Sequence, residues 1–168
     1  MAFLDLLYQL HSEGIPVALA SSADRKVINA VLTKFGLMDC FEYILSGAEL
    51  PASKPNPAIY QLTAKALGFA PADCVVIEDA TAGIMAAKDA GAYCIAYDNP
   101  NSGPQDLSRA DKIVSSLSDI VVSDILQINL LRFIMEKFKF YCPTEIIFGK
   151  DSELSTASLI KNTMVIMY

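Results

Sequence analysis

Four short apolar runs recur between residues 15 and 97: Ile15-Pro-Val-Ala-Leu-Ala20, Tyr43-Ile-Leu45, Cys74-Val-Val-Ile77 and Tyr93-Cys-Ile-Ala-Tyr97. Stretches with helical periodicity separate them. Phe3, Leu4, Leu6, Leu7 and Leu10 mark a helix over 2–13 that stops at Gly14. Ser22 is placed to cap a helix from Ala23 to Phe35, ended by Gly36. Asn56 and Pro57 open a helix running to Leu67, before Gly68. Thr81 to Ala90 form another, closed by Gly91. Strands joined one after another through helices read as parallel, because parallel neighbours need a crossover that a tight turn cannot supply. A parallel sheet is covered by helices on both faces. This alternation predicts an α/β chain built on a partial doubly wound (Rossmann-like) parallel sheet.

Ligands of such sheets sit beyond the carboxyl ends of the strands. That rule places Ser21, Ser46, Glu78 with Asp79, and Asp98 on one rim. Lys112-Ile-Val114 reads as a fifth short strand, and residues 117–136 as mostly helical. The character then changes. Phe138 to Tyr141 and Glu145 to Phe148 read as strands around a Pro143 turn, followed by a helix near 151–161 and the apolar run 164–168. The expected organisation is a core over 1–120, a helical linker over 121–136 and a short α/β C-terminal extension over 137–168.

With 168 residues, 53% of them hydrophobic, the chain is long enough for one domain with a real core. Its net charge of -6 argues against nucleic acid or an anionic membrane as the main partner, but not against a small phosphorylated molecule in a local cationic pocket. No apolar stretch reaches membrane-spanning length, and the N-terminus has no basic segment with a cleavage site. A cytoplasmic location is expected. Cys40, Cys74, Cys94 and Cys142 show no metal-type spacing and read as reduced thiols. His11, the single histidine, lies far in sequence from the candidate site and reads as a surface residue.

Three segments carry candidate chemistry: Leu19-Ala-Ser-Ser22, Ser53-Lys-Pro-Asn-Pro57 and Val76-Ile-Glu-Asp-Ala-Thr-Ala-Gly-Ile84. Each puts polar groups at a strand end or a helix start. Together they offer hydroxyls, an ammonium and a carboxylate pair. Phosphoryl transfer uses those types: carboxylate for Mg2+, lysine for charge on the transferring oxygens, hydroxyl and backbone N–H for orientation.

In this order and spacing, the three segments resemble motifs II, III and IV of the haloacid-dehalogenase (HAD) superfamily, in its beta-phosphoglucomutase-like phosphatase branch. The resemblance covers about residues 1–120. It implies phosphate binding by Ser21, Ser22 and Lys54, and Mg2+ binding by Asp79 with Glu78. Arg25 and Asn56 are further candidate ligand contacts. The implied activity is that of a Mg2+-dependent phosphatase or sugar-phosphate mutase acting on a small phosphorylated metabolite.

One element of that pattern is missing. The family's nucleophile sits in an Asp-x-Asp motif behind an apolar strand, ahead of a helical cap, and no Asp-x-Asp occurs anywhere in this chain. Only 20 residues precede Ser21. No catalytic residue is therefore assigned, and the chain is expected to be catalytically incomplete, an inactive fragment or a pseudoenzyme. A central strand is also expected to be missing. Its gap would leave an exposed sheet edge open to self-association. The tail over about residues 135–168, including the run from Met135 to Lys150, resembles the N-terminal start of iron-containing alcohol dehydrogenases. It lacks that family's glycine-rich loop and metal ligands, which leaves an oxidoreductase role as a remote alternative.

Overall fold

A computed structural model describes residues 2–128 and 164–167. The elements follow the expected alternation. Helix α1 spans Ala2–Ser12, strand β1 Val17–Ser21, helix α2 Arg25–Phe35 and strand β2 Tyr43–Ser46. Helix α3 spans Ala58–Ala66, strand β3 Cys74–Glu78, helix α4 Thr81–Ala90, strand β4 Tyr93–Tyr97 and strand β5 Lys112–Val114. A short 3-10 turn at Leu117–Asp119 leads into a helical stretch at 122–128. The last strand, β6, is Met164–Met167.

Element boundaries differ from the sequence reading where side chains compete with the backbone. Strand β1 starts at Val17 rather than Ile15, because Pro16 has no N–H to give a ladder. Helix α2 starts at Arg25 rather than Ala23. The Ser21 hydroxyl accepts the N–H of Ala23 at 3.2 Å, holding a turn, and Asp24 takes over as cap by accepting from the N–H of Lys26 at 2.8 Å. Gly36, at φ 66°, closes α2 in the left-handed region, and its N–H turns back to the carbonyls of Leu32 and Thr33.

The sheet is wholly parallel, in the order β2-β1-β6-β3-β4-β5. This corrects the expectation of a gap. Strand β6 lies between β1 and β3, pairing Val165 with Val17 and Val75, and Met167 with Leu19 and Ile77. The physical reason is composition: Met164-Val-Ile-Met167 is an uninterrupted apolar run that can be buried on both faces. Ile166 is completely buried. Among the described residues no edge between β1 and β3 is left exposed, and the outer strands are β2 and β5. The expected strands at 138–148, the helix at 151–161, the alcohol-dehydrogenase-like start and Cys142 lie outside the described residues.

Each face of the sheet has its own core. On one, Val17, Leu19, Val75, Ile77 and Ile95 pack against Leu6, Leu7 and Leu10 of α1, Ile28 and Leu32 of α2, and Ile120 with Ile125. On the other, Ala20, Val76, Cys94, Ala96 and Ile166 meet Ile59, Tyr60 and Ala64 of α3 and Ile84, Ala86 and Ala87 of α4. The alternation along β1 and β3 matters for the site. Leu19 and Val75 face the first core while Ala20 and Val76 face the second, and the strand ends inherit that split. No helix among the described residues is long and apolar enough to cross a membrane.

Candidate functional site

The carboxyl ends of β1 and β3 open onto one cavity of about 440 Å³, lined by Ser21, Ser22, Lys54, Glu78 and Asp79 among others. The structure thus brings together five of the residues singled out in the sequence. Ser21 ends β1, and Ser22 follows it exposed. Lys54 comes from the loop before α3, and its peptide bond to Pro55 is cis.

Arg25 and Asn56 are not among the residues lining that cavity. Arg25 forks onto Glu49, with Nε to Oε1 at 2.8 Å and Nη2 to Oε2 at 2.7 Å, and gives Nη1 to the carbonyl of Ile44. The paired charges raise the Arg25 pKa and lower that of Glu49, the direct hydrogen bonds being the main cause. Asn56 accepts the N–H of Ala58 at 2.9 Å and so starts α3. Asn56 thus bonds within its own turn, and Arg25 bonds to β2 and the turn after it.

Lys54 is nearly buried, its side chain 8% exposed. Its ammonium donates to the carbonyl of Ala20 at 3.1 Å and to Oε1 of Glu78, and lies 4.9 Å from the centre of the Tyr60 ring. Glu78 is 1% exposed. Its Oε1 also accepts the Tyr60 hydroxyl at 2.6 Å, and its Oε2 accepts the N–H groups of Asp79 and Ala80 at 3.1 and 3.2 Å. A buried carboxylate is tolerated only with such compensation. Burial, then the Glu78 charge and hydrogen bond, push the Tyr60 pKa well up, so Tyr60 stays a neutral donor. Gly83 completes the arrangement, because a Cβ there would overlap the Glu78 carboxylate.

Asp79 lines the same cavity but is held by a different loop. Its Oδ2 accepts from Asn99 Nδ2 at 2.8 Å and from Ser102 Oγ at 3.0 Å, which ties it to the loop after β4. Ser46, expected on the rim, is fully buried and donates to the carbonyl of Ala23 at 2.6 Å.

The sequence reading missed Tyr60, Gly83, Asn99 and Ser102. Tyr60 had a signal: it stands three residues after Pro57, on the first turn of an amphipathic helix. Gly83 stands within the Val76–Ile84 segment singled out above, but its closeness to Glu78, like the parts played by Asn99 and Ser102, depends on tertiary contacts.

Among the described residues the donor set does not complete a Mg2+ site. Both oxygens of Glu78 are spent on Lys54, Tyr60 and two backbone N–H groups, which leaves Asp79 as the one carboxylate with an oxygen to offer at the cavity. No group of three or more His, Cys, Asp or Glu among the described residues could hold a metal ion.

Residues 2–91 match the family model for haloacid dehalogenase-like hydrolases. The chain belongs to that family. As a HAD chain it is 36% identical over 115 residues to hexitol phosphatase B of Escherichia coli (strain K12), covering 68% of this chain and 52% of that protein. It is 39% identical over 116 residues to the bifunctional riboflavin kinase/FMN phosphatase of Arabidopsis thaliana, covering 68% and 31%. Among solved structures, the HAD fold matches beta-phosphoglucomutase from Clostridium difficile with a TM-score of 0.68 at 28% identity, over 79% of this chain and 57% of that one. CbbY from Rhodobacter sphaeroides in complex with phosphate matches with a TM-score of 0.66 at 28% identity, over 70% and 54%. The chain therefore spans about half the length of several of the relatives it matches.

Proposed function

We propose that this chain carries the phosphate-binding half of a HAD phosphoryl-transfer site for a small phosphorylated metabolite, and that the described residues bind the phosphate without turning it over. The observation that carries the reading is the convergence of Ser21, Ser22 and Lys54 on one cavity beyond the ends of β1 and β3. The Ser21 and Ser22 hydroxyls can donate to phosphate oxygens, while the Lys54 ammonium, paired with Glu78, has a third N–H to donate beyond those given to Ala20 and Glu78. Relatives named as phosphatases support the phosphate, and the absence of Asp-x-Asp from the sequence supports the missing turnover.

Mg2+, implied by the family, has no completed donor set among the described residues, so phosphate binding is assigned to the cationic and hydroxyl groups alone. Self-association, if it uses a sheet edge, is left to β2 or β5.

The test is titration of inorganic phosphate into the full chain by calorimetry, with and without Mg2+, alongside Ser21→Ala and Lys54→Met. Binding that survives chelation of Mg2+ and weakens at least tenfold in both variants supports the reading. Hydrolysis of an aryl phosphate is measured in parallel with Asp79→Asn as control. A Mg2+-dependent rate abolished by Asp79→Asn would overturn the catalytically incomplete assignment.

A further inference from the structure

A second cavity, about 230 Å³, lies against the first-core face of the sheet between α1 and α2. Phe3, Leu19, Val27, Val31 and Phe41 form much of its wall. Ser21 and Ala23 line both this groove and the phosphate cavity, so the two adjoin at the end of β1. Ser21 supplies the one polar side chain among the residues lining the groove, and none of them is charged. Val27 and Val31 form a lip that is 54% and 48% exposed, leaving the groove accessible from solvent.

We propose that the ligand of this site is a phosphate monoester of an apolar alcohol, with its phosphate at Ser21 and Lys54 and its hydrocarbon part in the groove between α1 and α2. This rests on the phosphate reading of the site and narrows its substrate class. A polyhydroxylated sugar would set its hydroxyls against walls that offer no partners beyond Ser21, and polar groups buried without partners lose affinity. An alkyl or aryl group gains by leaving water against the same walls. The shared residues Ser21 and Ala23 put the junction between phosphate and hydrocarbon at the point where the polar cavity gives way to the apolar one.

The experiment compares inorganic phosphate, n-butyl, n-hexyl and n-octyl phosphate and glucose 6-phosphate by calorimetry on the full chain. Each methylene that enters the groove should tighten binding by up to about fourfold. Hexyl phosphate should bind at least about tenfold more tightly than inorganic phosphate, and glucose 6-phosphate should gain nothing. Val31→Asp and, separately, Val27→Asp change half-exposed positions on α2. They should leave the affinity for inorganic phosphate within about twofold and remove the alkyl gain. The proposal is overturned if alkyl esters bind no better than phosphate, if the sugar phosphate binds best, or if the gain survives both variants. Phosphate binding without an alkyl gain sinks this inference alone, as it would if a polypeptide segment rather than a ligand fills the groove. Failure of every compound to bind sinks the phosphate reading with it.

Discussion

The ammonium of Lys54 joins the carbonyl of Ala20 on β1 to the carboxylate of Glu78 on β3, two strands that are not neighbours in the sheet. Met167 at the end of β6 pairs with Leu19 and Ile77, one residue short of those two partners. Lys54 therefore reaches over the end of β6 and holds the two sides of the site together. Lys54→Met leaves a buried carboxylate without its counter-charge, and about 3–5 kcal/mol of stability should be lost. Urea unfolding measures this. The double variant Lys54→Met with Glu78→Gln should recover part of the loss, because the uncompensated charge is gone.

Tyr60→Phe removes one donor from Glu78 while keeping the ring over the Lys54 ammonium. Hydrogen bonds to charged groups contribute about 1.5–3 kcal/mol, and the fall in stability should lie in that range. Phosphate affinity should fall less than in Lys54→Met, since the cation stays in place. An unchanged urea midpoint would count against the hydrogen bond to Glu78.

Gly83→Ala tests the space around the same carboxylate. The added methyl cannot coexist with Glu78 in its present rotamer, so either helix α4 shifts or Glu78 is expelled. Overpacking of this kind typically costs about 1–3 kcal/mol. A thermal midpoint equal to that of the parent chain would show that Glu78 does not occupy the place described.

Alkaline stability follows from two buried thiols. Burial pushes Cys74 and Cys94 up to about 12 from an ordinary value near 9. The folded chain therefore keeps protons that the unfolded chain has already released, and stability falls as pH rises from about 9 towards about 12. Each thiol contributes at most about 4 kcal/mol over that interval. Cys94→Ala should flatten the decline in thermal midpoint above pH 9, and a decline of unchanged slope would assign it elsewhere.

Ile166 is fully buried between Ala18 and Val76. Ile166→Ala should cost about 2–5 kcal/mol, as for a core residue. A near-neutral effect in chemical denaturation would mean that β6 is dispensable to the sheet.

The βα alternation was legible in the sequence because short apolar runs and helical spacing are local patterns. The three polar segments were legible because each sits at the end of such a run or at the start of a helix. The role of Glu78 was not: a carboxylate before a helix looks the same whether it faces solvent, a metal or a lysine. Only the fold brings Lys54, Tyr60 and Gly83 around it. Arg25 and Asn56 were drawn toward the site by nearness in sequence, while hydrogen bonds to Glu49 and Ala58 hold them in other work. The place of β6 was illegible for a different reason. Nothing in Met164-Val-Ile-Met167 says which pair of strands it will enter, and the pairing spans about the whole described chain.

That span has a consequence for how the protein comes into being. The pair β1–β2 and the trio β3–β4–β5 join in one sheet only through a segment made more than 85 residues after Glu78. Such distant closure slows folding, because chain entropy is lost before the contacts that offset it are made. During synthesis both sides of the cavity would emerge as separate half-sheets with bare inner edges. The nascent chain would stay exposed to chaperones and to misassembly until residue 167 had cleared the ribosome.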